Sequence, residues 1–429
     1  MKKIFFLLCI IFFLLVSVIA FAKEVIIFSL TDPVKDDGKL FIMNPQGGKT
    51  QEIFSFHTHP KIRKGSIYTP RIAKDGKTIY FSSDNAFAYT PFRANIFRVA
   101  SDGSWVDQIT PNSNSGRWDV GCPCGIVKGK VLHPGSKMPW GGCPVFLEGK
   151  GMVYSGSNGT FTFKDVPSGV RFVVGYKPGS SVFDAKPINV VPDTEIDVVL
   201  VPNSNYKTGF YSPIPVKEKV YFKFGMSEIQ WTDVEATHYN EVYKAKGVCS
   251  GIADIDGFDV NPQTEAIAVM DYQTGCTTNR GLYLISKGNI SLLWDMKQEN
   301  GISGGRGVYW TYNGKRLAVE VSYNNITYII IIDVEKKRFL SSFPFPNGYT
   351  IYDIELYGFS PSGEWLLFSY RIPSTDKWVL TKIRVNKDGI LDANSMVSLF
   401  KSSLLTGATW GILASPPPLP EGAIKIKKF

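Results

Sequence analysis

Along the chain, short apolar segments alternate with tight polar turns, and one element recurs. A β-like segment enters a turn, and a strongly apolar strand follows. The turns are residues 73–77, 215–219, 261–265, 311–315 and 360–364, and the strands after them are 78–82, 220–224, 266–270, 317–321 and 365–369. Gly, Asn and Asp suit such turns because they tolerate positive φ. The last four turns centre on 217, 263, 313 and 362, at steps of 46, 50 and 49 residues. A period of this length with about four strands per unit predicts a β-propeller. Two further strands complete the units: 95–100 and 105–110 in the second, 281–286 and 289–294 in the fourth, 327–333 and 339–343 in the fifth. Each blade is then an antiparallel four-stranded sheet.

The chain ends complete the count. Residues 25–30, 39–44 and 51–56 read as three strands lacking a first, and 407–412 reads as a first strand lacking three successors. Sharing one blade closes the ring and removes open sheet edges. The expected fold is all-β, a six-bladed propeller closed by N- and C-terminal strands.

The second unit carries a resemblance. Pro70-Arg71-Ile72-Ala73-Lys74-Asp75-Gly76-Lys77-Thr78-Ile79-Tyr80-Phe81-Ser82-Ser83-Asp84, then Asn95-Ile96-Phe97-Arg98-Val99-Ala100-Ser101-Asp102-Gly103 and Gln108-Ile109-Thr110, resembles the repeat of TolB-type (WD40-like) six-bladed propellers. The later blades match more loosely. TolB's own N-terminal α/β domain has no counterpart, so the resemblance implies the propeller and not TolB's role in an envelope complex.

A different module interrupts the ring over 121–202, with short strands at 125–132, 144–149, 152–155, 159–163, 170–176 and 196–201. Gly and Pro between alternating strands predict a compact β-sandwich. Val153-Tyr154-Ser155-Gly156-Ser157-Asn158-Gly159-Thr160-Phe161-Thr162-Phe163 and Val166-Pro167-Ser168-Gly169 resemble carboxypeptidase regulatory-like (transthyretin-like) domains, which implies an accessory module without catalytic residues. The expected layout is a signal peptide (1–22), blades one and two (23–120), the insert (121–202), blades three to six with the closing strand (203–414), and a Pro-rich spacer with a basic tail (415–429).

Composition fixes the compartment more than the task. Lys2-Lys3, an uncharged run over 4–22 and Ala20-Phe21-Ala22 form a signal-peptide pattern with cleavage before Lys23, the alternative being an uncleaved membrane anchor. The protein is expected to be periplasmic or secreted, with no span after cleavage. Forty-four percent hydrophobic and 20% charged residues exclude wholesale disorder. The net charge of +9 falls to +7 without Lys2 and Lys3, and the cations form no stripe, so nucleic acid is not an expected partner. The basic tail 424–429 reads as a frayed terminus held off the ring by the prolines of 415–420, with envelope-surface contact as a second use.

Strand alternation places the turns between first and second strands on one face of the disc. The loops between second and third strands and the links between blades lie on the other. That second face gathers the insert, His57, His59, Trp118, Trp231, His238, Cys122, Cys124, Cys249 and Cys276, and is the expected ligand-binding face. An oxidising compartment predicts disulfides. Cys249 with Cys276 is the first choice, and Cys143 is expected to pair with Cys124 or Cys122.

No metal or other cofactor is expected. His57-Thr58-His59 and Cys122-Pro123-Cys124 offer ligand types without zinc-site spacing, and 254–259 reads as an aspartate-rich turn, not an EF-hand. Gly301-Ile302-Ser303-Gly304-Gly305 fits the nucleophile-elbow letters but precedes a strand predicted at 307–312, where a helix is required. Trp310 and Trp410 are expected to pack inside blades. The expected function is a non-catalytic binding scaffold for a protein or surface polymer. The alternative is a metal-dependent binder or hydrolytic enzyme on the same face.

Overall fold

The structure is a computed structural model. It describes residues 23–56, 65–84, 94–110, 124–203, 210–234, 239–245, 255–272, 280–296 and 302–426, except positions 33, 36, 149, 181, 226, 347, 421 and 422. No helix among the described residues is long and apolar enough to cross a membrane.

Six sheets of the described residues contain four antiparallel strands that follow one another as a meander or close on the chain ends. Their innermost strands are Leu405–Leu413, Tyr68–Ile72, Phe210–Val216, Ile255–Val260, Ile302–Trp310 and Ile354–Phe359. Each touches the next in that order, and the last returns to the first, so they enclose a central channel. The architecture is a β-propeller. The first blade joins Leu405–Leu413 to Lys23–Asp32, then Asp37–Met43 and Thr50–Ser55, with Val25 opposite Gly411 and Ile27 opposite Thr409.

Burial explains the composition of these strands. Second strands lie between neighbouring blades and are buried on both faces, as in Thr78–Ser83 and the 366–369 portion of Trp365–Ile372. Outermost strands such as Asn289–Asp295 and Arg338–Pro344 face solvent and are mixed. The turn at Gly76 is close-packed as well as tight. Its φ is +71°, and a Cβ there would lie 2.2 Å from the Ile412 carbonyl oxygen of the closing strand.

The second blade departs from this gradient, because its outermost strand, Trp105–Thr110, is buried along its whole length. The C-terminal tail is the reason. Ile424 and Lys425 pair antiparallel with Val106 and Trp105 as a fifth strand, and the Ile426 amide donates to the Ser104 carbonyl. Ile426 packs among Phe54, Phe56, Phe81 and Val106. The proline-rich segment runs along the blade, with Trp105 Nε1 donating to Pro417 O and Ser101 Oγ to Ala414 O. This corrects the expectation of a frayed tail held off the ring. Alternating Ile424 and Ile426 give the tail a small apolar face, and an open sheet edge is available to receive it.

The insert forms two sheets. One is ordered Gly151–Tyr154, Pro144–Leu147, Gly169–Tyr176, Phe183–Val190; the other Thr160–Pro167, Cys124–Val131, Glu195–Leu200, its last pair parallel. Val127, Val145, Leu147, Phe161, Val173 and Leu200 fill the space between them. The outer side of the first sheet docks on the ring. Phe146, Phe172 and Val174 share one apolar cluster with Tyr80, Ile96 and Ile109 of blade two and with Phe210, Val220, Phe222 and Phe224 of blade three. Phe172 is fully buried, with ring centroids 5.5 Å from Phe210, 5.2 Å from Phe224 and 4.9 Å from Tyr239.

Phe172→Ala should destabilise the protein by about 3–5 kcal/mol, read by urea unfolding. Limited proteolysis should then release the insert before the ring, and unchanged cleavage kinetics would contradict the docked arrangement. Ile426→Ala should cost about 2 kcal/mol and speed amide exchange at residues 104–107. Protection unaltered there would show that the tail does not strap blade two.

Candidate functional site: the central channel

All six innermost strands share one irregularity. Each holds an extra residue opposite its neighbour, with register shifts at Tyr68/Arg71, Tyr211/Ile214, Ile255/Gly257, Arg306/Val308 and Leu356/Gly358, and at Ser29/Leu30 against the closing strand. A β-bulge bends a strand and re-aims the side chains beside it. Here the bulges ring the channel, and the residues next to them line it.

The channel has two chambers. The one towards the first-to-second-strand turns is lined by Lys74, Asp259, Tyr312, Tyr357, Thr409 and Trp410, among others. The one towards the interblade links is lined by Lys223, Asp256, Arg306, Gly307, Glu320 and Glu355. Arg71 and Tyr309 border both, and the Arg71 guanidinium stacks on the Tyr309 ring at 4.4 Å. This cation–π pair forms the partition.

The acids of this channel are perturbed. Asp259 is buried; its Oδ2 accepts from the Trp310 amide at 2.7 Å, and its carbonyl accepts from Trp310 Nε1 at 3.2 Å. Burial pushes its carboxyl up to about 6, against the opposing pull of Arg71 and the backbone amides. Glu320 is 0% exposed, and neither carboxylate oxygen has a hydrogen-bond partner. Burial holds it well above the ordinary range; Arg306 opposes that shift, Glu355 reinforces it, and the nearby Leu356 amide offsets part. Glu355 is raised by burial too, against Arg306, the hydroxyl of Tyr357 and Arg71. Tyr357 donates to Glu355 Oε2 at 3.1 Å and sits 2.9 Å from Ser369 Oγ. Carboxyls shifted this way in a cavity mark candidate functional positions.

The residues singled out from sequence fare unevenly. His57, His59, Trp118, His238, Cys122, Cys249 and Cys276 lie outside the described residues. Trp231 is not in a loop. It stands in the third strand of blade three, Glu228–Asp233, half-buried under Lys219 at 4.7 Å. An apolar–polar alternation too short to stand out concealed that strand. Cys124 is disulfide-bonded. Cys143 is free, which corrects its expected pairing. It packs inside the sandwich core, where its amide donates to Ser155 Oγ at 2.9 Å and burial pushes its thiol up. Trp310 and Trp410 are buried, as expected. Among the described residues, no group of three His, Cys, Asp or Glu side chains is arranged to hold a metal.

Two segments differ from their expected structure. Residues 255–260 are the innermost strand of blade four and not a turn, and 302–310 is one continuous strand that takes in most of the Gly-x-Ser-x-Gly letters. Glycines have low strand propensity, and bulges at Asp256 and Gly307 break the alternation that reveals a strand. The channel residues went unrecognised for the same reason. One signal was present: Glu320 is an acid inside the apolar run Leu317-Ala318-Val319-Glu320-Val321.

No protein-family model matches the chain, and no curated protein does. Among solved structures, TolB from Acinetobacter baumannii is 12% identical with a TM-score of 0.47, covering 90% of this chain and 66% of that one, just under two thirds of its length. The nidogen/laminin complex gives 8% identity, a TM-score of 0.46 and coverage of 90% and 98%. AztD from Citrobacter koseri gives 8%, 0.41, and 92% and 100%. Identities this low attach none of those proteins' activities to this chain.

The raised carboxyl of Asp259 has a definite sign. Its folded pKa exceeds its unfolded value, so its contribution to stability is full below about pH 4 and is lost as pH rises through about 6. Asp259→Asn should therefore be more stable than the parent at about pH 7 and no more stable at about pH 4, measured by urea unfolding at both. An equal difference at the two pH values would show that Asp259 ionises normally.

Proposed function

We propose that this protein is an extracytoplasmic, non-catalytic binding scaffold that recognises a protein or surface polymer on the link face of its propeller. One observation carries the reading. The aromatic cluster around Phe172 fixes the insert against blades two and three. The insert leaves the ring by an interblade link, so sandwich and link face form one preorganised surface around the charged channel mouth. Preorganisation lowers the ordering cost of binding.

The disulfide at Cys124 supports an oxidising compartment, consistent with signal-peptide cleavage before Lys23. The two-sheet insert is read as a transthyretin-like accessory module, and the six meander sheets as the blades of a TolB-like ring. A second reading, hydrolysis at the same mouth, draws on the raised carboxyls of Glu320, Glu355 and Asp259.

A photo-crosslinking residue separates the two faces. Tyr352 is 70% exposed in the link before the innermost strand of blade six, and Glu364 is exposed in a first-to-second-strand turn. Placed at 352 in native cells, the crosslinker should give one dominant adduct that the same residue at 364 does not. Adducts only at 364, or equal adducts at both, would remove the link face as the recognition surface.

A further inference from the structure

We propose that the link-side chamber of the channel is a receptor for a single alkylguanidinium or alkylammonium head, seated against Glu320 and Glu355. The inference rests on the link-face reading and names the chemistry that its central mouth takes.

Unsatisfied charge is the starting point. Glu320 is fully buried and borders the chamber; the Leu356 amide lies near its carboxylate, but neither oxygen has a hydrogen-bond partner. A buried carboxylate in that state is costly unless it is protonated or paired. Arg306 stands directly opposite Glu320 in the sheet register and its charge favours the carboxylate, but it donates no hydrogen bond to either oxygen. Of the other cations, Arg71 is engaged with the Tyr309 ring, and Lys223 Nζ donates to the Ile255 carbonyl at 3.0 Å. Glu355 has one donor, the Tyr357 hydroxyl, on Oε2. The chamber thus presents two carboxyls with acceptor capacity left over.

Space is kept open beside them. Gly307 has a φ of +55°, and a Cβ there would lie 3.3 Å from Glu320 Oε2. A Cβ on the adjacent Gly257 would meet the Gly307 amide nitrogen at 3.0 Å. Two glycines side by side therefore let the innermost strands of blades four and five approach with no side chain added against the buried Glu320 carboxylate.

Charge selects the ligand. The chamber volume is about 130 Å³, enough for the tip of a basic side chain or a small amine. Calcium takes about six to eight oxygen ligands, and among the described residues no group of three His, Cys, Asp or Glu side chains is arranged to hold a metal. A planar guanidinium or an ammonium makes charge-assisted hydrogen bonds with few partners. An anion on Arg306 would face Glu320 and Glu355.

The test is calorimetric titration of the full chain with n-butylguanidinium chloride, n-butylammonium chloride and a short acetylated, amidated arginine peptide, at constant ionic strength. Calcium chloride and inorganic phosphate serve as competing probes. Saturable one-to-one binding of an organic cation is expected, weakened about tenfold or more by Glu320→Gln, as for the loss of a charged hydrogen bond. Arg306→Gln should strengthen binding by removing a like charge, an opposite sign that a merely structural role would not give. Tighter binding of the peptide than of butylguanidinium assigns the head to a partner's side chain; the reverse assigns it to a free amine. The proposal is overturned by no saturable binding of any organic cation, by equal binding to Glu320→Gln, or by uptake of calcium or phosphate instead. Failure here with the Tyr352 adduct intact would discard this ligand chemistry and leave link-face recognition standing.

Discussion

The ring depends on the pairing of Lys23–Asp32 with Leu405–Leu413. These strands come from opposite ends of the chain, and their union turns a row of sheets into a closed circle. Hydrogen bonds such as Ser29 Oγ to Gly407 O, and Thr406 Oγ1 to Ile67 O, tie the closing strand to both of its neighbours. Loop-closure entropy grows only slowly with length, so joining such distant residues costs little more than joining moderately distant ones. The tail then adds a second lock. From Ala414, whose amide donates to Gly76 O, it runs past Trp105 to Ile426 and covers the outer edge of blade two. Both ends of that blade's exposed pairing capacity are thereby used.

Closure also creates the chamber. Six innermost strands converge on one axis, and each accommodates an extra residue. Their bulges direct charged side chains into a volume from which bulk water is largely excluded. Desolvation there shifts Asp259, Glu320 and Glu355 in one direction. The charge pattern of the channel is thus a consequence of ring geometry, not of local sequence clustering: Arg71, Asp259, Arg306, Glu320 and Glu355 come from four blades.

The insert shows the same interdependence. Its own core is closed by Val127, Val145, Phe161 and Val173, but its second apolar surface is completed only by blades two and three. Glu148 and Arg171, both nearly buried, lie at that seam, with Glu148 accepting from the Phe172 amide at 3.0 Å. A module with two apolar faces is held in a fixed orientation, which a flexible linker would not achieve.

The chain by itself determined the repeat, its period, the terminal closure and the sandwich nature of the insert. Those features are local: turn residues at fixed steps and apolar strands between them. It also marked Trp310 and Trp410 as interior. It did not reveal the innermost strand at 255–260, and of 302–310 it marked only the end, as a strand at 307–312, because bulges and glycines erase the alternation by which strands are read. Cys143 looked like a disulfide partner because spacing says nothing of which way a thiol faces. Tail docking and the channel acids were decided only by tertiary structure. Ile424 and Ile426 find an apolar edge, and Glu320 a desolvated position beside the channel, through residues hundreds of positions away or on neighbouring blades. Burial is a property of the assembled ring, and burial sets the chemistry of those groups.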